Sequence, residues 1–249
     1  MSVYVITHKR VAIPAEEGYK ILQVGAEKGH IDFERDTEYD DIGDNISSKN
    51  STYCELTGLY WLWKNCDDDY IGIVHYRRFF SHKFNGRILK EKEIKALLKK
   101  SDVILPFHHK LGKTVKEQYL ESGYEKDLDI LEEVLKEKYP EYMPSYTEIM
   151  RGKRIYFFNM FITNKKTFDK YSEWLFDILF EVEERVNISE YDDYHKRIFG
   201  FMSERLMYVF MKHNKVKIKE VGVVNTEERW TFKKKFLTGC KRELLYIVK

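Results

Sequence analysis

Short apolar, β-branched runs alternate with helix-patterned segments through most of this chain, and that alternation narrows the folds open to it. Val3 to Ile6, Tyr19 to Val24, Tyr70 to Val74, Val103 to Pro106, Arg154 to Thr163 and Val216 to Val224 read as strands. Between them, Ser51 to Asn65, Lys90 to Lys100, Thr114 to Tyr124, Leu128 to Lys138, Lys166 to Val186 and Tyr191 to His213 carry helical patterns. Thr52 followed by Glu55 fits a capping box at the start of the first of these helices. Asp36 to Asn50 is polar and irregular and reads as a loop. Strand–helix alternation of this kind predicts an α/β fold, a sheet with helices on both faces. No Pro- or Gly-rich linker and no internal repeat divides the chain. One domain over residues 1–229 is therefore expected, with a helical insertion at 110–145 and a basic amphipathic tail at 230–249.

Charge and cysteine usage remove several function classes. The 43 basic and 41 acidic residues leave a formal charge of +2, so no surface built for nucleic acid is expected. Cys54, Cys66 and Cys240 are far apart and form no CxxC pair, which suits reduced thiols in a cytoplasmic protein. No apolar run reaches transmembrane length, and the first residues lack the basic start and cleavage site of a signal peptide. The tail mixes Lys233 to Lys235, Lys241 and Arg242 with Phe236, Leu237, Leu244 and Leu245. That mixture suits contact with the inner face of the cytoplasmic membrane, or a last helix docked on the core.

The strand Tyr70 to Val74 runs directly into His75, Tyr76, Arg77 and Arg78. Ligands of open α/β sheets sit outside the carboxyl ends of strands. Two guanidiniums and an imidazole at such an end suit a phosphate or diphosphate. Strand alternation would put His75 and Arg77 on one face and Arg78 on the other. The alternative is a structural arginine pair bridging to Asp67, Asp68 and Asp69. Those three carboxylates precede the strand and so lie at its amino end, the wrong end for a ligand site.

Other segments carry candidates of the same kind. The first strand ends in Thr7, His8 and Lys9. The loop holding Asp41, Asn45, Ser47 and Asn50 is dense in hydrogen-bonding groups ahead of a helix, which suits a nucleotide or sugar, or an ordinary turn and cap. Glu55 shares a helix face with Leu59 and Leu62, so it is either paired or functional. Helix 191–213 carries Arg197, Phe201, Glu204 and Tyr208 along one stripe, with Asp192 and Asp193 in its first turn. Such a stripe is a structural ion-pair edge or the seat of a catalytic base. Tyr60, Trp61 and Trp63 either stack on a sugar or fill the core. No phosphate-binding glycine loop, zinc spacing or Ser-His-Asp pattern is present.

Several blocks together resemble the DUF4422 family. They are Asn45 to Ser47, Lys49 and Asn50, Tyr53 to Thr57, Tyr60 to Asn65, Gly72, and His75 to Phe79. Phe158 to Phe161, Trp174 to Phe176, Arg197, Gly200 and Phe201, and Glu204 to Leu206 extend the resemblance along most of the chain. It implies a bacterial glycosyltransferase of surface-polysaccharide synthesis with a GT-A-like nucleotide-binding sandwich, its sheet mixed but mostly parallel. It further implies a UDP-sugar donor, with galactofuranose as one candidate sugar, and a lipid-linked glycan acceptor. Many GT-A enzymes place a metal-binding Asp-x-Asp where this chain has His75, Tyr76 and Arg77. Fixed protein cations would then neutralise the departing diphosphate, and no metal cofactor is required. On this reading Thr7, His8, Lys9, Asp41, Asn45, Ser47 and Asn50 help bind the nucleotide. His75 and Arg77 hold the diphosphate, Tyr76, Arg78 and Arg197 belong to the same donor site, and Asn159 touches the sugar. Asp192, Asp193, Glu55 and Glu204 are the candidate bases for an inverting transfer. The alternative is a non-catalytic nucleotide-sugar- or glycan-binding subunit of an assembly complex.

Overall fold

The computed structural model describes residues 1–83 and 85–227. The first half of the chain gives β1 (Ser2–Thr7), β2 (Tyr19–Gln23), β3 (Thr37–Tyr39), α1 (Asn50–Tyr53), α2 (Leu56–Asn65), β4 (Tyr70–His75), β5 (Arg78–Ser81), α3 (Glu91–Leu98), β6 (Val103–Pro106) and β7 (His109–Lys110). The second half gives α4 (Val115–Tyr119), α5 (Glu125–Lys138), α6 (Met143–Arg151), β8 (Arg154–Ile155), β9 (Phe161–Asn164), α7 (Lys165–Arg185), α8 (Ile198–His213) and β10 (Ile218–Asn225).

Eight strands form one sheet in the order β3-β2-β1-β4-β5-β10-β6-β9, and β9 pairs back onto β4. The amino-terminal part of β4, Tyr70 to Ile73, is antiparallel to β9, while its last residue, His75, pairs with Arg78 of β5. Strands β4, β5, β10, β6 and β9 therefore close into a ring, and β1, β2 and β3 continue as a parallel wing. The expected α/β sheet with flanking helices is present. It is mixed and mostly parallel, as expected: β5 and β9 run against the other strands of the sheet.

Successive residues of β1 serve opposite faces, as strand alternation requires. Tyr4 and Ile6 join the larger core with Leu59, Leu62, Phe176, Leu206 and Phe210, under α2, α7 and α8. Val3 and Val5 join the smaller core with Val74, Phe79, Phe80, Ile94 and Leu98, under α3. Helix α5 packs along α7, α6 along α8, and α4 against α6, on the larger core. Trp61 donates its indole N–H to the Ile42 carbonyl at 2.7 Å. Tyr60 and Trp63 lie against Phe176, so all three rings serve packing.

Several local expectations are corrected. Residues 51–65 are not one helix: Cys54, at φ 53° and ψ −127°, separates α1 from α2. The Thr52 hydroxyl donates to the Lys49 carbonyl and Glu55 turns elsewhere, so the expected capping box is absent. The expected strand 154–163 is split by positive φ at Phe158 (82°) and Asn159 (48°). The start of the expected helix 191–213 is a turn and one 3-10 segment, His195–Arg197. The basic tail, 230–249, lies outside the described residues.

Strand β3 takes up part of the expected loop 36–50, and the remainder is organised by a residue that the sequence did not single out. Asp40 is fully buried. Its carboxylate accepts from the Gly25 and Ala26 amides at 3.0 Å each and from the Ser47 hydroxyl at 2.5 Å. Gly25 holds φ 64° there, and a Cβ would fall 2.8 Å from Asn50 Oδ1. Removing a buried charged acceptor strands its donors, which typically costs 1–3 kcal/mol or more. Asp40→Ala is expected to lower unfolding stability by roughly 2–4 kcal/mol in urea titration. A loss below about 0.5 kcal/mol would remove Asp40 from this role.

Candidate functional site

A cleft of about 510 Å³ opens at the carboxyl ends of β1 and β4. Ile6, His8 and the segment His75 to Arg78 line its sheet side. Asn50, Ser51, Cys54 and Glu55 line it from α1 and the break before α2. Phe158, Arg197 and Glu204 complete the wall.

Strand β4 stops at His75, and Tyr76 and Arg77 make a tight turn into β5. Side chains in a turn no longer alternate across a sheet. All four residues from His75 to Arg78 therefore reach one cleft, contrary to the two-face expectation. His75 also differs from its expected cationic role. Burial holds its pKa below the ordinary histidine value, and Arg78 and Arg77 push the same way, against the nearby Glu55 carboxylate and the Phe158 carbonyl. Its Nε2 lies 2.6 Å from the Phe158 carbonyl oxygen, which can only accept. The ring is then neutral with the proton on Nε2.

The positive charge of the cleft therefore comes from arginines. The Arg77 guanidinium sits 5.5 Å from the Tyr76 ring centroid and 3.5 Å from Glu227. Arg78 lies 4.3 Å over the Phe158 ring. Arg197 donates from Nε to Cys54 Sγ at 3.2 Å. Burial pushes the Cys54 thiol up to about 11, so the sulfur is a neutral acceptor at pH 7. His8 packs edge-on against Tyr76, and Lys9 Nζ lies 4.9 Å from the same ring. Burial, then Lys9 and Arg197, hold the His8 pKa down.

Two carboxylates face this positive wall. Glu55 Oε1 accepts from Asn159 Nδ2 at 2.7 Å, and Glu55 Oε2 has no hydrogen-bond partner among the described residues. Asn159 is buried and also donates to the Gly200 carbonyl at 3.2 Å. Glu204 Oε1 accepts from the Phe158 amide at 2.7 Å, and Oε2 accepts from Arg205 Nη1 at 2.9 Å. Burial raises the Glu204 pKa to about 7, with Glu55 adding to the rise against Arg205 and the Phe158 amide.

The remaining sequence candidates fall elsewhere. Asn159 reaches Glu55 from behind and does not line the cleft. Asn50 does line it, with its amide tied to the Cys54 carbonyl. Thr7 is buried and bonds to Lys9 backbone. Asp41 pairs with His30 at 2.9 Å, Asn45 braces its own loop, and Ser47 serves Asp40. Asp192 and Asp193 are absent from the cleft wall. Asp192 instead accepts from the Tyr194 and His195 amides, at 3.0 and 2.8 Å. The amino-end triad is also remote in role, since Asp68 pairs with the N-terminal ammonium at 3.0 Å. Ser51, Cys54 and Phe158 line the cleft without having been singled out. The only signal for the latter two was their place inside the blocks Tyr53 to Thr57 and Phe158 to Phe161.

The raised Glu204 pKa has a measurable consequence. Between pH 4.5 and about 7 the folded protein keeps a proton that the unfolded chain has lost. This contribution to stability is full below pH 4.5 and declines as pH rises to about 7. At ~1.4 kcal/mol per pKa unit the decline is at most about 3 kcal/mol. Glu204→Gln is expected to flatten it, read as a smaller difference in urea-unfolding stability between pH 5 and 7.5. Equal slopes in the two proteins would refute the assignment.

No curated protein sequence is detectably similar to the chain. Among solved structures, the bifunctional glycosyltransferase WbbM, in its apo form, superposes with a TM-score of 0.83 at 29% identity. The match covers 91% of this chain and 45% of WbbM, so the chain spans less than half the length of that protein. The mannosyltransferase Ktr4p of S. cerevisiae matches at a TM-score of 0.33 and 12% identity, over 84% of this chain and 62% of its own, too distant to carry an argument. No helix among the described residues is long and apolar enough to cross a membrane. Residues 2–215 match the sequence profile of a domain of unknown function, and the chain belongs to that family, DUF4422.

Proposed function

We propose that this protein is a glycosyltransferase that moves a sugar from a UDP-sugar to a hydroxyl of a growing glycan. The observation that carries the reading is one cleft with arginines on one wall and an open carboxylate oxygen, Glu55 Oε2, on the other. The family resemblance and the likeness to WbbM support the class. By the same resemblance, galactofuranose is one candidate donor sugar, and the acceptor is a lipid-linked glycan of surface-polysaccharide synthesis at the cytoplasmic face of the membrane.

In the proposed step Arg77 and Arg197 hold the diphosphate, with Lys9 and His8 at the rim. Neutral His75 fixes the Phe158 turn and leaves Nδ1 as an acceptor. Glu55 Oε2 takes the proton of the acceptor hydroxyl. The acceptor oxygen bonds to the anomeric carbon as the bond from that carbon to the diphosphate breaks, with inversion. The leaving charge grows beside fixed guanidiniums, where preorganised donors have most effect. Glu55 is preferred to Glu204 as base because both Glu204 oxygens are already engaged by the protein. Asn159 becomes the group that orients Glu55, in place of a sugar contact. Fixed guanidiniums take the part that a metal plays in many related enzymes, and the carboxylates Asp67 to Asp69 lie at the amino end of β4, away from the cleft.

A panel of UDP-sugars tests this reading. One donor is expected to raise the melting temperature and to support transfer. Binding without turnover by any donor would instead mark a nucleotide-sugar-binding subunit. Glu55→Gln is expected to keep the thermal shift and to lower kcat by roughly 10²–10⁴. A variant within threefold of wild type would exclude Glu55 as the base. EDTA is expected to leave the rate unchanged, and loss of activity with rescue by manganese would overturn the fixed-cation mechanism.

A further inference from the structure

Just outside the cleft, aromatic rings form a continuous, partly exposed strip. The Arg197 guanidinium, in the cleft wall, sits 5.6 Å from the Phe201 centroid and 5.9 Å from that of Tyr194. Tyr194 contacts Phe201 at 5.3 Å and His195 at 5.6 Å. His195 stacks on Tyr124 at 4.9 Å, with an interplanar angle of 26°. Tyr194 is 48% exposed and Tyr124 40%. Single exposed aromatics need no explanation, but a contiguous set beside a cleft does.

We propose that Tyr194, Phe201, His195 and Tyr124 form the subsite for the saccharide acceptor, holding its sugar rings as they lead into the cleft. The inference rests on the glycosyltransferase reading and adds the path of the acceptor to it. A sugar ring offers an apolar C–H face with hydroxyls at its edge. Aromatic side chains with a polar handle, set among hydrogen-bonding groups, complement that shape. The strip supplies both parts: exposed aromatic surface from Tyr194 and Tyr124, and polar atoms from His195, Arg197 and the tyrosine hydroxyls.

The strip is also braced by hydrogen bonds. Asp192 accepts from the amides of Tyr194 and His195 and from His195 Nδ1, the last at 2.8 Å. Tyr191 anchors the far end through its hydroxyl, 2.8 Å from buried Asp127. A surface already ordered binds with a smaller entropy cost. An anionic membrane is a poorer occupant, because the flanking charges are of mixed sign. Glu190, Asp192 and Asp193 stand against Lys126, Lys196 and Arg197.

The test is saturation-transfer NMR with free tri- to hexasaccharides of galactose, mannose, glucose and N-acetylglucosamine. Ring protons of at least one series are expected to receive saturation from the wild-type protein. Tyr194→Ala combined with Tyr124→Ala is expected to weaken that binding at least about tenfold, while Tyr194→Phe alone, which keeps the ring, retains it. The thermal shift with a UDP-sugar is expected to be the same in all of these proteins. No transfer to any saccharide, or equal transfer in wild type and double variant, with the UDP-sugar shift intact, overturns the subsite alone. Loss of anionic-vesicle binding in the double variant without any saccharide effect overturns it in favour of a membrane contact. Absence of every UDP-sugar shift in the wild type removes the glycosyltransferase reading instead.

Discussion

The turn at Phe158 and Asn159 is the joint on which the cleft depends. Two successive non-glycine residues hold positive φ there, a conformation that costs on the order of 1–3 kcal/mol per residue. Such strain persists only where the surroundings over-determine it. Here three elements do so: His75 of β4 donates to the Phe158 carbonyl, Glu204 of α8 accepts from the Phe158 amide, and Glu55 before α2 accepts from Asn159. The joint fixes the neutral tautomer of His75 and orients Glu55. It also keeps Glu204 near the positive wall. A shift of this turn would therefore disturb all three groups together.

A second constraint follows from burial. The His75, Tyr76, Arg77, Arg78 segment looks tricationic as a string of letters. Folding removes the imidazole from that tally and brings Arg197 into it from a helix more than a hundred residues further along the chain. Cys54 takes part in the same exchange. Its left-handed backbone breaks the helix, and its neutral sulfur receives the Arg197 Nε–H. The break frees Glu55 from the capping role its sequence position suggested and turns it towards Asn159.

The sequence was most legible where burial is continuous. β1, β4 and β6 fall within a residue of the expected ends, because runs such as Val103 to Pro106 have one physical use. It was least legible where tertiary contacts choose the backbone. Nothing local in Arg154 to Thr163 announces a left-handed pair in its middle, and nothing in Ser51 to Asn65 announces the Cys54 break. β5 was missed because Arg78 to Ser81 follows the β4 run without an obvious turn signal: Tyr76 and Arg77 supply the reversal without glycine, asparagine or proline. Asp192 and Asp193 look catalytic by residue type, yet Asp192 braces a turn beyond the cleft wall. Glu55 and Glu204, 149 positions apart in sequence, meet in one cleft only through the fold.

Closure of the strand ring has a consequence for solubility. Every open sheet has two edges whose unpaired backbone groups can recruit a strand from another molecule. Because β9 returns to β4, the described sheet keeps one such edge, at β3. That edge is three residues long, exposes Glu38, and follows the exposed Asp36. A short acidic edge is a poor template for strand addition, so the closure that accompanies the His75 to Arg78 turn also leaves this sheet little opportunity for edge-to-edge pairing.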